Sequence, residues 1–292
     1  MTLNFKKISI IGLGLIGTSI LHAIKAKKED ELVTFAYDIN PEHRKIVLQM
    51  KIATFVCEDI KDSVKEADLV ILAVPVGSMK TVANLIAPFL KKNTVVTDTG
   101  STKGSVVNDV NPYMPDNVYF IPSHPLAGTE YSGPKSGFSS LFKNRYWLIV
   151  YDKQTNETKK LINFFQTLGS FVEIVNTEYH DKILAITSHL PHLIAYTIVG
   201  TASDLETDLK NDVIKFSASG FRDFTRIASS DPIMWRDVFL NNSDAVLEML
   251  QRFNEDLSDL QKAIRKKDGV KLYSFFSRTR SIRKKIIDAG QI

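Results

Sequence analysis

Three short segments carry side chains able to move protons or hold anions. In Ser123-His124-Pro125 a histidine stands just past the apolar run Tyr119-Phe120-Ile121. A histidine at a strand end is suited to acid–base work, because its ordinary pKa lies close to neutrality. It could equally hydrogen-bond the following loop, but its place at a strand end favours catalysis. In Ser188-His189-Leu190-Pro191-His192, three-residue spacing sets His189 and His192 on neighbouring helix faces. No HExxH pattern or nearby cysteine accompanies them, so a metal is not expected. One histidine facing a cleft and one structural histidine is the expectation. In Gly220-Phe221-Arg222-Asp223-Phe224-Thr225-Arg226, an arginine among aromatics with Asp223 three residues from Arg226 suits two-pronged capture of a carboxylate. A structural Arg–Asp pair fits the same residues equally well. Two further strand ends are unusual, Val74-Pro75 and Asp98-Thr99-Gly100-Ser101.

The N-terminal residues indicate what such groups would work beside. Ile8-Ser9-Ile10-Ile11 reads as a buried strand, followed at once by Gly12-Leu13-Gly14-Leu15-Ile16-Gly17 and an apolar helix pattern. Strand, glycine turn and helix form a dinucleotide-binding fingerprint. Gly12 permits the tight turn, Gly14 lets backbone approach a pyrophosphate, and Gly17 lets helix pack on strand. The helix start, with Leu15 and Ile16, offers N–H groups to the phosphates. A second run, Val33-Thr34-Phe35-Ala36-Tyr37, ends in Asp38, placed to meet the adenosine ribose diol. That carboxylate repels a 2′-phosphate, so NAD is expected rather than NADP. Arg44 could accept such a phosphate, but is expected on the solvent face of the helix begun by Pro41.

The elements that must position these groups change character along the chain. Up to about residue 176, strands at 69–74, 94–97, 119–121, 146–150 and 171–175 alternate with helical patterns, including 156–168 stopped by Gly169. This alternation implies an α/β, Rossmann-type, doubly wound and mostly parallel sheet, with ligands beyond the carboxyl ends of its strands. Beyond that point 177–203, 205–219, 231–264 and 267–288 read as helical, and Ser229-Ser230-Asp231-Pro232 is a helix start. The expected division is a nucleotide domain over 1–176 and an all-helical domain over 177–292. No glycine- or serine-rich linker separates them, which implies a shared interface.

The chain has 292 residues, 44% hydrophobic and 24% charged, as in soluble globular proteins. A net charge of +4 is too small to argue for nucleic acid, and the basic stretch 278–285 reads as a solvated helix end. The single Cys57 excludes an internal disulfide and fits a reducing compartment. Residues 1–24 carry Lys6-Lys7 before an apolar run, but the glycine spacing explains that run better than a signal peptide does. No other run has the uninterrupted apolar length of a membrane span. A cytoplasmic protein is expected.

Taken together these segments resemble the prephenate/arogenate dehydrogenase family of tyrosine biosynthesis. The resemblance rests on Gly12 to Gly17, Thr97-Asp98-Thr99-Gly100-Ser101-Thr102-Lys103, Ser123-His124-Pro125-Leu126-Ala127-Gly128-Thr129-Glu130, Ser188 to His192, and Asp223-Phe224-Thr225-Arg226-Ile227-Ala228 continuing through Trp235-Arg236. It spans nearly the whole chain, and the histidine and DFTRIA segments are its specific parts. It implies NAD-dependent oxidative decarboxylation of prephenate to 4-hydroxyphenylpyruvate, with arogenate as the other substrate of the family.

By the same resemblance, His124 takes the proton of the ring hydroxyl. Ser101 contacts that hydroxyl and the nicotinamide region, and Val74 and Pro75 join the cofactor site. Arg226 grips the ring carboxylate, His192 helps hold the substrate, and Glu130 and Asp223 belong to a surrounding ionic network. The resemblance also implies a homodimer through the helical half, whose stripes include Val246, Leu247, Leu250, Phe253, Leu257 and Leu260, with Trp235 approaching the partner's site. A stand-alone dehydrogenase is expected, with any tyrosine inhibition competitive. The rivals are a β-hydroxyacid dehydrogenase, which would need a lysine such as Lys182 in a glycine-rich context it lacks here, and a non-catalytic NAD sensor.

Overall fold

The computed structural model describes residues 4–28, 31–150, 155–204, 212–213 and 215–288. Six strands form one parallel sheet in the order β3-β2-β1-β4-β5-β6: β1 (Lys7–Ile11), β2 (Val33–Tyr37), β3 (Phe55–Val56), β4 (Leu69–Leu72), β5 (Val95–Asp98) and β6 (Tyr119–Phe120). The strand order reverses between β1 and β4, and such a switch point opens a crevice for a dinucleotide. Every residue of β4 and β5 is buried. That is why they read as continuous apolar runs rather than alternating ones. Helices α1 (Leu15–Lys25), α2 (Pro41–Met50), α3 (Ile60–Val64), α4 (Met79–Ile86) and α5 (Gly104–Val110) cross between the strands. Two buried apolar clusters share the strand residues, one including Ile8, Ile10, Leu69 and Ile71, the other Ile11, Val70, Leu72 and Val96.

The expected single sheet is in fact two. Ser123–Pro125 is itself a strand, β7, and it joins β8 (Tyr146–Val150) and β9 (Phe171–Val175) in a three-stranded sheet, antiparallel to β8 while β8 and β9 run parallel. His124 therefore sits mid-strand opposite Leu148 rather than at the end of a strand of the first sheet. The cause is local. Pro122 has no N–H and interrupts the run after Phe120, and Ser123 then makes the junction. Its hydroxyl donates to the Asp98 carbonyl at 2.7 Å and accepts the Trp147 indole N–H at 2.9 Å, while its own N–H donates to the Asp98 carboxylate at 3.1 Å. Trp147 is fully buried and stacks on Phe165 of α6 (Asn156–Thr167) with centroids 3.8 Å apart.

Past residue 176 the described residues are helical. The run expected over 177–203 is continuous but irregular: α7 (Thr177–Leu184), a π turn over Ala185–His189, then α8 (Leu190–Ser203). The irregularity precedes Pro191, which stands in the first turn of α8. A wider π turn relieves the clash between a proline ring and the carbonyl four residues back. By length and composition the stretch Thr177–Ser203 could cross a membrane. Its buried residues are His180, Leu184, Ala185, His189, Leu190 and Ala195, while Ile186, Ile198 and Val199 are exposed.

Of the helix expected over 205–219, residues 205–211 and 214 lie outside the described residues; Ser219–Thr225 is helical. The helix expected over 231–264 is two: Pro232–Asn241, capped by Asp231 accepting from the N–H groups of Ile233 and Met234, and Ser243–Arg265. Gly269–Asp288 is the last. The chain forms two compact units, Met1–Ser243 and Asp244–Ile292. Both sheets and the helices as far as Asn241 belong to the first.

Candidate active site

The glycine turn is built for a phosphate-bearing ligand. Gly12 has φ +96°, which L side chains rarely adopt, and a Cβ there would collide with the Ala73 carbonyl. A Cβ on Gly17 would collide with the Gly12 carbonyl. Gly14, by contrast, faces open space at the start of α1, which has neither a capping side chain nor an acid in its first turn. Open space beside unsatisfied helix amides fits a pyrophosphate. Leu15 and Ile16 form that first turn, Val74 lies against Gly12, and Pro75 follows, exposed.

Asp38, at the end of β2, accepts the Leu13 N–H at 2.7 Å and the Asn40 N–H at 2.8 Å, with His43 Nδ1 3.2 Å away. An ionised carboxylate has about four acceptor positions, so capacity remains for a ribose hydroxyl. The expectation for Arg44 is corrected. Its side chain is only 14% exposed, donating to the Asp38 carbonyl at 2.7 Å and pairing with Glu58 at 2.8 Å. Folded back in this way, it is already committed to protein partners.

His124 is 8% exposed. Burial, with His180 and Lys103 nearby, holds its pKa well below the usual histidine value. It is thus neutral at neutral pH. Its Nδ1 lies 3.0 Å from His180 Nε2, and His180 Nδ1 lies 2.8 Å from Asp181. Beneath this chain is a fully buried ion pair, Lys103 with Asp98; Lys103 also donates to the Ser123 carbonyl at 2.8 Å. Lys103 begins the turn into α5, so one side chain ties the Ser101 loop to the strand bearing His124. The N–H groups of Lys103 and Gly104 donate to Asp181, each at 2.8 Å, which fastens α7 to the same loop.

Of the paired histidines, His189 is the buried one. Its Nδ1 accepts from the Asn242 amide at 3.1 Å. Its Nε2 has no hydrogen-bond partner among the described residues; the Ser101 backbone approaches too loosely for one, yet closely enough to favour the charged form. Burial outweighs that and lowers its pKa to about 4. His192 donates to the Ser188 carbonyl at 2.9 Å and stacks on Trp235, with centroids 3.6 Å apart at 22°. Trp235 is 6% exposed in the single chain.

Arg226 does not pair with Asp223. Its guanidinium meets Glu130 at 2.8 Å, and Asp223 is exposed on the helix before it. The reason is geometric: Asp223 lies within Ser219–Thr225, whereas Arg226 starts a tighter turn that aims its side chain at the segment following β7. Arg226 also lies close enough to His192 to disfavour its charged form, after burial. His124, Ser101, His189, His192, Trp235, Arg226 and Glu130 are thus linked by direct contacts or electrostatic reach, whereas Asp223 stands apart. His180 and Asp181 went unnoticed in the sequence, where Tyr179-His180-Asp181 is an unremarkable polar start to a helix; Lys103 was noticed only as part of a motif.

Known proteins resemble the chain along most of its length. The family profile described as prephenate dehydrogenase, nucleotide-binding domain, matches residues 21–174, and that of the prephenate dehydrogenase dimerization domain matches 176–278. The cyclohexadienyl dehydrogenase of Zymomonas mobilis is 40% identical over 96% of this chain and 95% of its own length. The prephenate dehydrogenase of Lactococcus lactis is 36% identical over 95% of this chain and 77% of its own. A crystal structure of Aquifex aeolicus prephenate dehydrogenase with hydroxyphenyl propionate and NAD+ superposes with a TM-score of 0.89 at 29% identity, over 98% of this chain and all of that one. The chain is an oxidoreductase that belongs to the prephenate dehydrogenase family.

Proposed function

We propose that the protein is an NAD-dependent prephenate dehydrogenase that oxidatively decarboxylates prephenate to 4-hydroxyphenylpyruvate. The observation that carries this reading is His124: a buried histidine held neutral, 3.0 Å from His180 and within electrostatic reach of His189, which the Ser101 backbone in turn approaches. NAD+, held by the Gly12–Gly17 turn and Asp38, supplies the hydride acceptor when bound. His124 Nε2 accepts the proton of the C4 hydroxyl as the C4 hydride departs. The carboxylate at C1 leaves as carbon dioxide, its bonding pair completes the aromatic ring, and the resulting phenolate oxygen takes the proton back from His124. A neutral imidazole matters here, because a protonated one would favour loss of the hydroxyl as water. Ser101 orients that hydroxyl, Arg226 receives the ring carboxylate, and the stacked His192–Trp235 pair gives the ring a flat wall.

Glu130 bears on the choice of substrate. An unpaired acid would attract the ammonium group of arogenate, but Glu130 is already paired with Arg226. That favours the keto acid. The 40% identity to a cyclohexadienyl dehydrogenase favours a second reading, in which both substrates are used. The enzyme acts as a homodimer, a reading supported by the apolar side chains exposed along the last two helices, among them Leu247, Leu257, Ile264 and Val270. A cytoplasmic location belongs to the same reading, since a chain with a single cysteine has no need of an oxidising compartment.

NADH absorbance at saturating NAD+, with prephenate and arogenate in parallel, tests the assignment. Turnover of prephenate alone is the expected result. Comparable rates establish the dual-substrate reading, turnover of arogenate alone reassigns the side-chain pocket, and silence with both removes the proposal.

A further inference from the structure

His124 does not act alone in this fold. Its ring meets His180 edge to face, with centroids 5.2 Å apart at 60°, and the nitrogens facing each other are His124 Nδ1 and His180 Nε2, 3.0 Å apart. The opposite nitrogen of His180, Nδ1, lies 2.8 Å from an Asp181 oxygen. Hydrogen-bond polarity runs one way along this chain. An ionised carboxylate only accepts, so neutral His180 must carry its proton on Nδ1 and present a bare Nε2. That bare nitrogen can only accept, so His124 must carry its proton on Nδ1. The Nε2 of neutral His124 then keeps its lone pair.

We propose that His180 and Asp181 are positioning residues that fix the tautomer of His124, so that its unprotonated Nε2 faces the substrate hydroxyl. The inference rests on the assignment of His124 as the proton acceptor. The other tautomer would place a proton where the base needs a lone pair, and a base in the wrong tautomer is a known way to lose turnover while keeping the fold.

The anchor of the chain is itself held. Burial by itself would raise the Asp181 pKa, but the hydrogen bonds from His180 and from the Gly104 and Lys103 N–H groups keep it below the usual carboxylate value. Its backbone carbonyl accepts from the Asn242 amide at 2.9 Å, which fixes this turn of α7. When a proton arrives at His124 Nε2, the resulting cation still donates through Nδ1 to His180, whose own N–H points at the Asp181 carboxylate. The charge created in catalysis is thereby stabilised along the chain, against the repulsion of buried Lys103.

The test begins with the unaltered enzyme and no substrate. Imidazole nitrogen NMR on 15N-labelled protein, with the His124 signals identified by their absence in His124→Asn, is expected to show Nδ1 protonated and Nε2 bare. A His124 protonated on Nε2 overturns the proposal, whatever the substrate proves to be. His180→Leu removes the acceptor and is expected to shift His124 toward the Nε2-protonated form and to lower kcat roughly 10–100-fold, the usual cost of losing an orienting partner, with KM unchanged. His180→Gln keeps an acceptor oxygen and is expected to restore most of kcat. Wild-type kcat in His180→Leu, or equal impairment of both variants, overturns the proposal. If His180→Leu fails to fold, the spectrum of the unaltered enzyme still decides. Should His124→Asn turn over normally while the tautomer is as assigned, the function of His124 falls and the tautomer assignment stands.

Discussion

At the scale of single residues, burial decides the chemistry. A histidine pKa of 6.5 would leave the proposed base partly protonated near neutrality, whereas burial of His124 moves its titration well below that value. The sign follows directly. In the proposed mechanism the competent form is the neutral one, so activity is expected to be retained down to the depressed pKa and lost only below it. The acid limb of kcat/KM is expected well below pH 6.5, with a flat profile from there to about pH 8; a limb centred at 6.5 or higher would remove either the depression or the role. His124→Asn is expected to lower kcat by ~10²–10⁴-fold with substrate binding retained, and steady-state kinetics with near-normal kcat would exclude His124 as the base. His124 and Arg226 were legible because their neighbours in sequence are distinctive. Asp98, Lys103, His180 and Asp181 were not, because their meaning arises only when β5, the α5 turn, β7 and α7 converge. No spacing along the chain announces a contact such as that of His124 with His180, 56 residues apart. Likewise, the three-residue interval made Asp223 look like the partner of Arg226, while the true one, Glu130, is 96 residues away.

At the scale of elements, what could be read was what repeats locally. The β1–glycine–α1 unit, β2 ending in Asp38 and the cap at Asp231 were all visible, since each depends on a few adjacent residues. The separate sheet of β7, β8 and β9 was not, because Ser123 enters it through bonds to Asp98 and Trp147 rather than through its own propensity. The π turn over Ala185–His189 was not visible either, since it lies in the turn before Pro191 rather than at the proline itself. The glycine unit yields a paired prediction. In Gly17→Ala the new Cβ would meet backbone, the Gly12 carbonyl, which cannot rotate away. Helix α1 must move off β1, so both thermal stability and NAD+ affinity are expected to fall, the former by roughly 1–3 kcal/mol for overpacking. In Gly14→Ala the Cβ enters open space, so stability should hold while NAD+ affinity falls, since that space is where the pyrophosphate must come. Calorimetric titration with NAD+ alongside thermal unfolding separates the two, and intact affinity in Gly14→Ala would move the phosphates elsewhere.

At the scale of the whole molecule, the two compact units differ in how completely they satisfy themselves. The first, through Ser243, buries two apolar clusters and closes its site with bonds between distant segments. In the second, the helix Gly269–Asp288 has no buried residue, and Val270, Tyr273, Phe276, Ile282 and Ile286 are each more than half exposed. On Ser243–Arg265, Leu247, Leu257 and Ile264 are exposed as well. Exposed apolar side chains in such number call for a partner to cover them. The matching family profile over residues 176–278 is that of a dimerization domain, and a second copy of the same helices supplies a self-complementary apolar face, as a two-fold interface requires. Light scattering on the full chain is therefore expected to give twice the 32.8 kDa chain mass at working concentration. Because the interface is apolar, raising the salt should leave that mass unchanged, whereas an ion-paired interface would weaken. Replacing Val270 and Tyr273 together with Asp should shift the mass toward the single chain, since charge placed in an apolar contact must be desolvated without a partner. A single-chain mass for the unaltered protein would overturn the dimer, and a double variant that stays dimeric would move the interface off Gly269–Asp288.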